Sequence, residues 1–203
     1  MNKFIKKRIE KFKQQSLFNK ILDIFLLLLI VLLIFPSTRK ELMTYTSKVR
    51  MYITSVDEKK EGKSSLEGKF SLVVENKKGK EFDLGDFDDR PVFINYWATW
   101  CPPCRAEMPA LQKLYNNYKG EVHFLFVTRE PFSKTQPFIE DNDYSIPVYQ
   151  LKSRPQGTLT YQALPTTLLL SKNDSLVFKK RGAMNWNSNK VHSILDEAIT
   201  GTR

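Results

Sequence analysis

Both cysteines of this 203-residue chain lie in one pentapeptide, Trp100-Cys101-Pro102-Pro103-Cys104. An apolar run, Pro91-Val92-Phe93-Ile94-Asn95-Tyr96-Trp97, precedes it, and a helical pattern follows from about Pro102 to Tyr118. Continuous apolarity of this kind is what a central strand buried on both faces requires. A buried strand that runs straight into a helix carrying two thiols on its first turn restricts the chain to layered α/β architectures.

The same spacing restricts the chemistry. The thiolate, not the thiol, attacks a disulfide. A helix start offers unpaired N–H groups and the positive end of the helix dipole, both of which favour an anion. Cys101 stands at that start, and Pro102 at the first helical position costs no hydrogen bond. Cys101 is therefore expected to be the exposed, low-pKa nucleophile. Cys104 follows at i, i+3 on the same face and can resolve a mixed disulfide by closing the ring onto Cys101. Trp100, immediately before Cys101, is placed to shield one side of it and to contact a partner. No cofactor is expected beyond the redox-active Cys101–Cys104 disulfide.

Two other uses of a CxxC pair deserve weighing. Half a zinc site would need two more ligands, and only His123 and His192 remain, without paired spacing. A permanent structural disulfide across so short a loop would constrain the unfolded chain weakly. Reactive use fits the strand–CxxC–helix context better, and no metal is expected.

Other elements follow from pattern. Phe70 to Glu75 and Lys80 to Leu84 flank the turn Asn76-Lys77-Lys78-Gly79, which predicts a hairpin. Glu121 to Thr128 reads as a strand, 133–142 as a helix, and Ile146 to Gln150 as a short strand. Thr166 to Leu170 and Leu176 to Lys180 predict a second hairpin turning at Lys172-Asn173-Asp174. A last helix carries Val191, Ile194, Leu195, Ala198 and Ile199 on one face, with Asn187 or Ser188 as N-cap. The alternation implies a mixed sheet covered on both faces.

The N-terminal segment is of another kind. Residues 1–20 hold seven bases against Glu10, a charge of +6 that leaves +4 of the total +10 for the rest. Residues 1–16 read as a basic cytoplasmic tail and 17–36 as a transmembrane signal-anchor, since 20 residues make about 30 Å of helix. Lys20 would snorkel at the interface. Bases ahead of the apolar run place the N-terminus inside and everything after Pro36 outside. A cleaved signal peptide is the rival, but Pro36-Ser37-Thr38-Arg39 offers no small-x-small pair. Residues 37–68 form a juxtamembrane segment, helical over 39–53, with a polar linker over 54–65. The charge belongs to this tail, no nucleic-acid motif accompanies it, and no nucleic-acid partner is expected.

The segment Phe93 to Pro109, FINYWATWCPPCRAEMP, resembles the signature of thioredoxin-fold proteins of the TlpA/ResA type. These are membrane-anchored or periplasmic thiol–disulfide oxidoreductases, many serving cytochrome c maturation. The resemblance covers about residues 66–200, tight around the CxxC and loose elsewhere, and the thioredoxin-like domain it implies is 69–203. It implies a thioredoxin-like fold: a central mixed β-sheet flanked by helices, with an N-terminal β-hairpin, preceded here by the transmembrane helix. Leu164-Pro165-Thr166 resembles the family's cis-proline segment, which lies against the CxxC and offers backbone groups to a substrate peptide. Trp100, Pro102 and Pro103 complete the expected substrate-binding set. Pro109 falls where such helices kink, and a proline there cannot donate to the carbonyl of Arg105 in any family.

Glu107 precedes Leu111, Leu114 and Tyr118 on an apolar helical stripe, so burial should raise its pKa and let it relay protons for the cysteines. The family often has a functional glutamate at this offset. A solvated first-turn glutamate is the alternative. Asn95 stands where cytosolic thioredoxin carries a buried aspartate, which moves the proton-relay burden elsewhere. Trp97 and Tyr96 should point to opposite faces of their strand.

The resemblance thus implies an enzyme of the bacterial cytoplasmic membrane, single-pass, its domain periplasmic or extracytoplasmic. Its partners would be protein or peptide disulfides and a membrane thiol carrier as electron donor, with the bilayer held through residues 17–36. A reductant is the expected direction, with a disulfide-forming oxidase or isomerase of secreted-protein folding as the alternative. A thiol peroxidase would need a Pro-x3-Thr-x2-Cys loop; Thr99 lies only two residues before Cys101 and no proline stands four before it, so the motif is absent. A non-enzymatic binding module would not require both thiols.

Overall fold

The structure is a computed structural model, and it describes residues 16–34, 71–87 and 90–201. The chain divides into two units, Met1–Met43 and Thr44–Arg203. The basic tail before residue 16, the end of the expected span at residues 35 and 36, and the expected helix and linker over 37–68 lie outside the described residues.

In the first unit, helix α1 covers Leu17–Ile34, 18 residues or about 27 Å. Leu17, Phe18, Ile21 and Phe25 are among the apolar side chains it leaves exposed. Asn19, Lys20 and Asp23 interrupt its first two turns, so the uninterrupted apolar stretch begins only at Ile24. Among the described residues no helix is long and apolar enough to cross a membrane. The expected span over 17–36 is thus helical over its described part, and its crossing of a membrane is not shown.

The second unit is built on a seven-stranded sheet. Its strands are β1 Val73–Asn76, β2 Glu81–Asp83, β3 Val92–Tyr96, β4 His123–Thr128, β5 Val148–Leu151, β6 Thr166–Leu170 and β7 Leu176–Arg181. Three helices join them: α2 Pro102–Tyr118, α3 Phe132–Asp141 and α4 Asn189–Thr200. The order across the sheet is β2-β1-β5-β4-β3-β6-β7. The β3–β4 and β4–β5 pairs are parallel and the others antiparallel. Both predicted hairpins form. The first turns through Gly79 at φ 77°, a left-handed conformation that glycine adopts without steric cost. The N-terminal hairpin extends the sheet edge by pairing β1 with β5, from Val74↔Leu151 to Asn76↔Tyr149.

Strand order decides which face each helix covers. From β3 to β4 to β5 the chain steps twice in the same direction, and right-handed crossovers then put α2 and α3 on one face. The packing agrees. Met108, Leu111 and Leu114 of α2, Ile139 of α3, and Val191, Ile194 and Leu195 of α4 share one buried cluster with Phe93, Phe126 and Trp186. The opposite cluster, around Ile94, Leu125 and Leu168, holds Leu84 and Phe87 of one 3-10 turn and Leu159 of another. The sheet is covered on both faces, as expected, but among the described residues no α-helix contributes to this second cluster. Among the described residues its cover is two short turns, Leu72, Tyr161 and Leu164; the β5-to-β6 connection spans only 14 residues, 152–165, while passing two strands.

That connection also locates the site. β6 runs antiparallel to β3, so it starts at the end where β3, β4 and β5 finish. The connection stays at that end of the sheet, as do Thr99 to Cys101 after β3 and Arg129–Glu130 after β4.

Candidate active site

Cys101 is the N-cap of α2, with extended backbone (φ −88°, ψ 105°), and Pro102 and Pro103 take the first two helical positions. Neither proline has an N–H to leave unpaired. The next N–H in line is that of Cys104, and it donates to Cys101 Sγ at 3.3 Å. Cys101 and Cys104 are joined as a disulfide with Cα atoms 5.3 Å apart. The helix then runs through Pro109 to Tyr118.

Cys101 is not exposed as expected: it is 2% accessible and Cys104 is 0%. The reason is packing, since both sulfurs belong to the larger apolar cluster with Trp97 and Ala98, against which Leu164 also packs. Cys101 instead lies in the wall of an open groove of about 570 Å³. Trp100, Pro102 and Pro103 line this groove from the α2 side, and Tyr161, Gln162 and Leu164 from the β5-to-β6 connection. Trp100 is the exposed member, at 69%.

The Leu164–Pro165 bond is cis. Pro165 and Thr166 are buried and are not among the residues lining the groove. The Pro165 carbonyl accepts the Gly182 N–H at 2.8 Å, and the Thr166 hydroxyl donates to the Ala163 carbonyl at 2.7 Å. Of the six expected substrate-binding residues, the structure gathers Trp100, Pro102, Pro103 and Leu164 around the groove and sets Pro165 and Thr166 behind it.

Glu107 lies on the buried side of α2 with no accessible surface. Three donors converge on its carboxyl group. Asn95 Nδ2 donates to Oε1 at 3.0 Å, Trp186 Nε1 to Oε2 at 2.8 Å, and the Met184 N–H to Oε2 at 3.4 Å. Desolvation still outweighs them and raises the pKa from 4.5 to about 8. A solvated first-turn glutamate is ruled out by this burial. The second N–H of Asn95 goes to Thr167 Oγ1 at 2.8 Å, while Asn95 Oδ1 is buried without a partner.

Sequence reasoning missed two features. Trp186, fully buried, comes from the loop before α4 and sits 79 residues from the carboxylate it binds. A tryptophan isolated in the polar stretch Asn185-Trp186-Asn187-Ser188 was the available signal. Glu130 is the other: its carboxylate accepts the Thr99 N–H at 2.6 Å and the Thr99 hydroxyl at 2.9 Å. This pair fixes the turn that delivers Cys101 to the helix. Trp97 and Tyr96 do diverge, into the first and second clusters respectively. Tyr96 stacks on Tyr161 at 4.2 Å, and burial pushes its phenol pKa up.

A mixed sheet with paired cysteines at a helix start and a cis-proline loop across the groove defines a thioredoxin-like protein. Solved structures agree on the fold. A thioredoxin-family thiol:disulfide interchange protein from Chlorobium tepidum is similar with a TM-score of 0.55 at 16% identity, over 68% of this chain and 99% of its own. The thioredoxin domain of a thiol-disulfide oxidoreductase from Bacteroides vulgatus gives 0.54 at 19% identity, over 66% and 98%. Residues 60–199 match the family model Redoxin, and the chain belongs to that family. Its relatives include proteins named thiol-disulfide oxidoreductase ResA. That of Halalkalibacterium halodurans is 32% identical over 56% of this chain and 66% of the relative. That of Geobacillus thermodenitrificans is 33% identical over 60% and 71%. The chain thus spans just under two thirds of the first of these relatives.

Proposed function

We propose that this chain is a thiol–disulfide oxidoreductase acting on protein or peptide disulfides through Cys101 and Cys104. The observation that carries the proposal is the Cys101 sulfur at the tip of α2, faced by the Cys104 N–H at 3.3 Å. A sulfur anion there gains a hydrogen bond and the helix dipole. In the reduced enzyme the Cys101 thiolate attacks a substrate S–S bond, forms a mixed disulfide and releases one substrate thiolate. Cys104 gives up its proton, with Glu107 as the proposed relay that finally receives it, and the resulting thiolate attacks Cys101 Sγ. That step closes the enzyme disulfide and releases the second substrate sulfur, so two electrons pass to the substrate.

The direction we propose is reduction, with cytochrome c maturation as the process served and a membrane thiol carrier restoring the dithiol. The resemblance around the CxxC and the relatives named ResA support this reading. We also propose that residues 17–36 tether the domain to the cytoplasmic membrane, with the domain on its outer side. Support comes from the basic residues preceding the apolar run and from the exposed apolar side chains of α1.

The test is dithiothreitol-driven reduction of insulin, comparing the wild type with Cys101→Ala. Loss of catalysis in the variant is expected, and equal rates would remove the oxidoreductase reading. Thiol trapping in cells fixes the direction: a mostly reduced pair supports a reductant, a mostly oxidised pair the folding oxidase.

A further inference from the structure

We propose that Trp186 is a positioning residue for Glu107: its indole N–H holds Oε2 and sets the pH at which the carboxyl group gives up its proton. This rests on the proton-relay role of Glu107 in the function proposed above.

The geometry is specific. The Nε1–Oε2 distance of 2.8 Å is the shortest of the three contacts to the carboxyl group. The indole is clamped by rings, edge-on to Phe93 at 5.3 Å and stacked with Phe178 at 6.1 Å. Its donor cannot turn to water, because the side chain has no accessible surface. Every described group in hydrogen-bond reach of Glu107 is neutral: Asn95 from β3, and Trp186 and the Met184 N–H from the loop before α4. On α2 itself the neighbouring charged or titratable side chains are Arg105, whose guanidinium lies over the Phe138 ring at 5.7 Å, and Cys101 and Cys104, joined here as a disulfide. On β6, Thr167 meets Asn95 and carries no charge. With no cation among the described residues in hydrogen-bond reach of the carboxyl group, hydrogen bonds are what favour its ionisation, and a donor aimed at a carboxylate favours the charged form.

The sign follows. Removing the indole N–H strips the anion of a partner, so Glu107 keeps its proton to higher pH. In Trp186→Phe the Glu107-dependent limb of the exchange rate should move alkaline by about one pH unit or more. Phe178→Leu removes the stacked ring and leaves the N–H, and should leave the limb in place. Glu107→Gln should abolish the limb. A limb that persists in Glu107→Gln overturns the relay role itself. A limb lost in Glu107→Gln but unmoved in Trp186→Phe, or moved equally by Phe178→Leu, overturns the role of Trp186 alone.

A second measurement needs no tryptophan variant. In the oxidised full chain, held in detergent micelles, the cysteines do not titrate. The indole N–H resonance of Trp186, one of three tryptophans, should follow Glu107 through its ionisation by 1H–15N NMR. It should lose that titration in Glu107→Gln. A Trp186 resonance that stays fixed across the range in the wild type overturns the proposal.

Discussion

At the scale of single residues, Glu107 ties the proposed proton relay to the stability of the fold. Its folded pKa of about 8 lies above the ordinary 4.5, so the folded state binds the proton more tightly than the unfolded state. Its contribution is fully present below pH 4.5 and is lost as pH rises through 8. The wild type should therefore lose stability between pH 5 and pH 8, by an amount on the order of a few kcal/mol. Glu107→Gln should flatten that decline. Urea midpoints at the two pH values check this, and an equal decline in both proteins contradicts it. The burial of Glu107 was legible from its spacing to Leu111, Leu114 and Tyr118. Its partners were not, because a helical stripe says which side faces inward and nothing about which distant loop meets it. Pro165 was legible as a cis-proline only through resemblance.

At the scale of elements, periodicity located the strands and helices well, since β3 is buried at all five positions and α2 begins at the predicted proline. The layering was less legible. Which face a helix covers depends on the order of strands in the sheet, and apolar pattern carries no order. Ser188 shows the same limit at a helix end: it takes the N-cap position of α4, yet its side chain makes no capping bond. The Thr99–Glu130 pair joins the β3–α2 and β4–α3 turns, a contact that local pattern does not encode. Glu130→Ala leaves the Thr99 N–H without its acceptor, with an expected loss of about 1–3 kcal/mol. Chemical denaturation measures the loss, and faster hydrogen exchange at the Thr99 amide should accompany it. Unchanged exchange there would contradict the clamp.

At the scale of the whole molecule, the candidate redox site and the proposed tether fall in separate units. The disulfide, the groove and Glu107 all belong to the unit Thr44–Arg203, and the exposed apolar helix α1 to the other. The full chain should sediment with membranes and resist alkaline carbonate extraction. A chain lacking residues 1–43 should be released to the soluble fraction while reducing insulin within about twofold of the full-length rate. Release of the full chain by carbonate would remove the tether. The proposed tether rests on charge asymmetry and length, which are written directly in the chain, while among the described residues no helix is long and apolar enough to cross a membrane.

The low accessibility of Cys101 also sorts its reaction partners by shape. A sulfur recessed beside the Trp100 indole admits a slender probe more readily than a bulky one. After reduction, iodoacetamide should outpace a dendritic maleimide at this thiol by far more than on free cysteine. Natural clients should accordingly present their cystines on protruding, unfolded or terminal segments, and cross-links sunk inside compact proteins should escape attack.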